Sequence, residues 1–141
     1  MSVFAVWVSL MSTLFGAASD PECYALGGLD IARAEALANG NVTDLRSVYA
    51  DAAAAAPDVR LLKRYAARGL RVVGAGMVRG QCRVVARSAF RVELDVTERL
   101  AQAWAVAPTG ESTRLPRDEA SRHRVVLTGD DAERWRIASV R

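Results

Sequence analysis

Apolar positions recur every three to four residues in the first half of the chain and every second residue after Gly69. Asp20 and Pro21 predict a helix start, with an acid at the N-cap and proline at the first helical position. The predicted helix runs to about Ala38, though Gly27 and Gly28 weaken its first half and point to a start nearer Leu29. Asn39-Gly40 ends it. Thr43 or Asn41 then caps a short helix from Asp44 to about Ala50, with Leu45, Val48 and Tyr49 inward. Pro57 is expected to end the alanine run 52–56, because the residue before proline is driven out of helical backbone. Asp58 then caps a third helix carrying Val59, Leu62, Tyr65 and Ala66, which stops at Gly69.

From Leu70 the alternation predicts strands at roughly 70–78, 81–88, 90–98, 100–107, 112–115, 122–128 and 134–140. Phe90, Val92, Leu94 and Val96 face one way, and Arg91, Glu93, Asp95 and Thr97 the other. Arg83 and Arg87 are expected opposite these acids, forming a charged ladder on the open face. Gly74, Gly76 and Gly80 read as bulge or turn positions, residues 131–133 as a hairpin tip, and Pro116 as an edge, bulge or crossing loop. Helices followed by an antiparallel meander make an α+β domain over 20–141, with the helices packed on one face of a bent sheet.

Composition narrows the function classes. Of 19 basic residues only Lys63 is not arginine, and the arginines are interleaved with acids, so no dense basic stripe forms and no nucleic-acid partner is expected. Residues 1–19 carry no charge before the closing Ser-Asp step and contain an apolar run, Val3 to Ala18, with Gly16 and Ala18 as small residues of a cleavage site. That run is short for a membrane span. A secreted or membrane-tethered protein is the leading expectation, and a cytoplasmic one with an extra buried helix is the alternative. Cys23 and Cys82 lack zinc or redox spacing. In an exported chain they form a disulfide between the first helix and the sheet, worth about 4 kcal/mol on loop-closure entropy. In a cytosolic chain they stay reduced.

The stretches ALANGNVTDLRSVYAD (36–51), RYAARGLRV (64–72) and WRIASVR (135–141) resemble the NTF2-like superfamily of cone-shaped α+β folds. LPRD and RWRIASV are similar to uncharacterised actinobacterial proteins of that fold with a hydrophobic leader. The resemblance implies helices packed on a strongly bent antiparallel sheet, possible homodimerisation through the open sheet face, and a conical pocket. In catalytic members that pocket holds an acid or histidine, often with a tyrosine or a second polar group.

The residues themselves supply few ligands or nucleophiles. His123 stands between two arginines at a strand start, with no orienting carboxylate nearby in sequence, and reads as a strand-edge residue. Tyr49, Tyr65, Trp104 and Trp135 fall on apolar faces, where they pack the core or line a pocket for a small apolar ligand. Asp118 and Glu119 point to opposite faces of an extended segment. Asn41-Val42-Thr43 matches a glycosylation sequon, but helix capping accounts for it. No metal site, cofactor motif or catalytic constellation is expected. The leading expectation is therefore a non-catalytic NTF2-like domain for ligand binding or protein interaction. The rival is an isomerase or dehydratase with an acid and a tyrosine in the cone, for which Asp44, Asp95 and Tyr65 are the first candidates. A buried carboxylate facing a tyrosine or His123 across an open pocket favours the rival.

Overall fold

A computed structural model describes residues 20–130 and 134–141. The expected leader (1–19) and hairpin tip (131–133) lie outside the described residues. Three helices, α1 (Pro21–Asn39), α2 (Val42–Ser47) and α3 (Ala52–Ala66), precede seven strands. These are β1 (Arg71–Val73), β2 (Met77–Arg87), β3 (Arg91–Leu100), β4 (Trp104–Val106), β5 (Ser112–Arg114), β6 (Ser121–Thr128) and β7 (Arg136–Val140). The fold is α+β, as the order of the two periodicities predicts. Among the described residues no helix is long and apolar enough to cross a membrane.

The helix boundaries depart from local rules where tertiary contacts intervene. Helix α1 runs unbroken from Pro21 through Gly27 and Gly28, because Cys23, Leu26 and Leu37 are buried along its inner stripe. Asp20 makes no side-chain cap; its carboxylate accepts from the Val84 amide at 3.0 Å instead. Gly40 takes φ +66°, and the amides of Gly40 and Asn41 close the helix on Leu37 and Ala36. Asn41 caps α2 by accepting from the Asp44 amide at 3.0 Å. The alanine run and the 58–66 segment form one helix, not two, capped by Asp51, which accepts from the Ala54 amide at 2.8 Å. Pro57 sits inside it and removes the bond to the carbonyl four residues back, that of Ala53. Five successive alanines carry the helix through that single loss. Asp58 is thereby released from capping.

The meander is not one continuous sheet. It divides into a three-stranded sheet, β1-β4-β5, and a four-stranded sheet, β2-β3-β6-β7, all antiparallel. The division falls where Gly74 adopts φ +81° and its Cα passes close to the Gln102 carbonyl. A Cβ there would stand 3.1 Å from that oxygen, so glycine is needed both for the φ and for the approach. The Ala101 amide still bonds the Gly76 carbonyl at 2.7 Å across the bend.

Val92, Leu94 and Val96 are fully buried beneath α1, as the alternation predicts, whereas Phe90 is exposed at the hairpin turn. Only half of the expected charged ladder forms. Arg83 lies opposite Asp95 and contacts it at 3.2 Å, joined there by Arg122 at 2.6 Å. Arg87 instead grips Glu22 of α1, with Nε and Nη2 donating at 2.9 and 2.8 Å. The cause is a pair of β-bulges in β2, between Arg79 and Gln81 and between Val84 and Ala86. Each inserts one unpaired residue and reverses the sequence parity of the strand. Arg79, Cys82, Val84 and Arg87 therefore all lie opposite helix-facing residues of β3.

Two apolar clusters result. One packs Cys23 and Leu26 of α1 on Val92, Leu94, Val96, Val125, Leu127, Trp135 and Ile137. The other joins Ala36 and Leu37 to Leu45, Ala55, Val59, Leu62, Val72 and Ala103. Tyr49 packs against both. Cys23 and Cys82 are joined by a disulfide that closes 59 residues of sequence separation between α1 and β2. Purified without reductant and then denatured, the protein should titrate no free thiol. The double substitution C23A/C82A should lower unfolding free energy by about 2–4 kcal/mol in urea denaturation.

Candidate active site

Between the two apolar clusters, α1 turns charged residues toward the sheet. Its inner stripe reads Cys23, Leu26, Asp30, Arg33, Leu37, at steps of three and four residues, so Asp30 and Arg33 occupy positions that would otherwise be apolar. On the sheet, the inward series Val92, Leu94, Val96 ends in Glu98, which is 6 % exposed. Arg79 lies opposite Glu98 in β2, and His123 lies opposite Val96 in β6.

These side chains form two linked sets around a cavity of about 610 Å³. In the first, Arg79 donates to Glu98 Oε2 from Nε at 3.1 Å and from Nη2 at 2.7 Å, and Nη2 also donates to Asp30. The other Glu98 oxygen stands 2.8 Å from His123 Nε2. Among the described residues the second ring nitrogen of His123 has no hydrogen-bond partner, and His123 lines the cavity. In the second set, Arg33 donates to both oxygens of Asp58, Nη2 to Oδ1 at 3.0 Å and Nε to Oδ2, and the Tyr49 hydroxyl donates to Oδ2. Arg33 Nη1 also reaches the Ala75 carbonyl at 3.4 Å. Ala53, Ala54, Pro57, Met77, Ile137 and Val140 supply apolar wall.

Burial shifts the protonation equilibria of both sets. It pushes the Asp30 carboxyl above its ordinary value, and the bond and charge of Arg79 offset this only in part. For Asp58 burial acts in the same direction, but the bonds and charge of Arg33, with the Tyr49 hydroxyl, outweigh it and hold the carboxyl low. Tyr49 is pushed up by burial and by the adjacent Asp58 carboxylate, so its hydroxyl stays protonated. Every buried side-chain nitrogen and oxygen among the described residues has a partner. No three His, Cys, Asp or Glu side chains among the described residues are placed to hold a metal ion.

Of the four aromatic residues expected to line a pocket, only Tyr49 reaches this cavity. Tyr65 lines a separate cleft of about 280 Å³ with Leu37, Leu62 and Leu70. Trp135 is buried in the first apolar cluster, and Trp104 lies in β4 with the Arg114 guanidinium 5.1 Å from its ring centre. Asp44 is exposed on α2, and Asp95 is held on the outer face of the sheet between Arg83 and Arg122. The acids that do face the cavity are Asp30, Asp51, Asp58 and Glu98. Glu98 is the orienting carboxylate that the sequence around His123 lacks, brought from a neighbouring strand. Its position two residues beyond Val96 on the inward series was the available signal.

The chain matches no family model and no curated protein.

Arg33 and Asp58 tie α1 to α3 with side chains only 16 % and 14 % exposed. D58N leaves Arg33 buried without its counter-charge and should cost about 3 kcal/mol at pH 7. Because the folded pKa of Asp58 is lowered, its stabilisation is complete above 3.8 and is lost as pH falls through the folded value. Urea midpoints of wild type and D58N should therefore begin to approach each other only below pH 3.8 and meet once pH has fallen through the lower, folded value.

Proposed function

We propose that the cavity performs general acid–base catalysis on a small molecule with an apolar body, in the manner of an isomerase or dehydratase. The carrying observation is the Glu98–His123 contact at 2.8 Å in a cavity that both residues line together with Asp58 and Tyr49. A carboxylate accepting from Nε2–H fixes the ring and leaves the Nδ1 lone pair as the base. Arg79 holds Glu98 from the other side, so the carboxylate cannot swing away when the imidazole takes a proton. Tyr49 spends its proton on Asp58, so toward a ligand it offers lone pairs and not a hydroxyl donor. The site thus differs from the acid-and-tyrosine pair expected from sequence: the acid works through a histidine.

Helices on a bent antiparallel sheet with a cavity between them fit the NTF2-like resemblance. The Cys23–Cys82 bridge fits an oxidising, extracytoplasmic compartment. A second reading, a non-catalytic binding cavity, is favoured by the complete hydrogen-bonding of the buried polar groups, which holds the walls apart without any reaction.

Nitrogen-15 NMR of the histidine ring separates these readings. Neutral His123 should carry its proton on Nε2, and E98Q should shift it toward a mixture of tautomers; a proton on Nδ1 in the wild type rules out the proposed base. Across a panel of enolisable ketones in deuterated water, wild type should accelerate α-proton exchange and H123Q should lose at least about a hundredfold of that rate. Equal rates for the two proteins would leave only the binding reading.

A further inference from the structure

The LPRD segment between β5 and β6 plays no part in the cavity. Asp118 Oδ2 accepts from the Leu100 amide at 2.7 Å, the Leu115 amide donates to the Ala103 carbonyl at 2.9 Å, and Gln102 Nε2 donates to the Leu115 carbonyl at 3.0 Å. Pro116 fixes one backbone angle between these ties. The segment is thus clamped at both ends against the bend of the sheet. There it forms one wall of a groove of about 690 Å³ whose floor includes Val78, Leu100 and Leu115.

Three arginines line this groove: Arg99, Arg114 and Arg117. Among the described residues none of them contacts a carboxylate. The one acid in the groove, Asp118, is already engaged by the Leu100 amide. Arg114 is stacked on the Trp104 ring at 5.1 Å, and Arg99 keeps a single long bond to the Leu100 carbonyl at 3.4 Å. Elsewhere on the sheet the arginines that approach an acid are paired with it, as Arg83 and Arg122 are with Asp95 and Arg87 is with Glu22. A groove with three forked donors, an apolar floor and a single carboxylate, held on a backbone amide, keeps an excess of positive charge and is complementary to an oxyanion attached to an apolar body.

We propose that this groove binds a small molecule bearing a carboxylate or phosphate, with its apolar part on Val78 and Leu115. The site is separate from the cavity, and its occupancy does not depend on any reaction there.

Phenyl phosphate and benzoate, titrated into the full chain at 50 mM NaCl and followed by amide NMR and calorimetry, test the proposal. At least one should bind saturably, with shifts concentrated at 99–102 and 114–118 and affinity falling as salt rises. The stronger of the two identifies the class, phosphate ester or carboxylic acid. R114Q and R117Q change exposed side chains and should each weaken binding about tenfold or more, while R60Q on α3 leaves it unchanged. Thermal midpoints confirm that each variant is folded. Absence of saturation for both probes would overturn the assignment. So would equal binding of benzyl alcohol, equal weakening by R60Q, or shifts centred on Tyr49 and His123.

Discussion

Arg79 bridges two carboxylates that would otherwise repel each other, Asp30 on the first helix and Glu98 on the central strand. That guanidinium fixes the placement of the helix over the sheet together with the Cys23–Cys82 bridge and the Arg87–Glu22 pair. It lies where the two apolar clusters separate, at the bend of the sheet, so that the helix is fastened by polar contacts in a region that packing leaves open. An ion pair in such a place adds little over a well-packed apolar contact, but its loss strands a buried charge. Its contribution is to specificity: only one height and rotation of α1 brings Asp30 to Arg79 and Arg33 to Asp58 together.

The same arrangement explains how a small domain carries a cavity without collapsing it. Apolar side chains at Asp30, Arg33, Glu98 and His123 would close on one another. Hydrogen-bonded charges keep fixed separations and leave space between the two linked sets. Because side chains alternate across a strand, Glu98 and Arg99 serve opposite sides of the sheet from consecutive positions. The acidic inner wall and the basic outer groove are thus two faces of the same few residues.

Much of the fold was legible because its signals are local. The alternation in Val92, Leu94 and Val96, the Asn-Gly stop and the switch of period at Gly69 each follow from a few neighbouring residues. The site was much less so. His123 gains its carboxylate only through the pairing of β3 with β6, and Asp58 acquires its role only because the alanine helix runs through Pro57. Arg87 leaves the charged ladder because of a bulge at a position occupied by valine, where no turn residue signals it. Asp30 and Glu98 could have been noticed, since each interrupts an apolar series on an inward face. Sequence rules treat such residues as solvated until a partner from a distant segment is known.

The bulges in β2 act on something besides the direction of Arg79 and Arg87. This strand is the outer member of its sheet, the position at which a foreign strand would add by main-chain pairing. Two irregular steps break the row of evenly spaced donors and acceptors that such addition requires, and the Asp20 carboxylate already occupies the Val84 amide between them. The chain is thereby guarded along this edge against ribbon-like self-association.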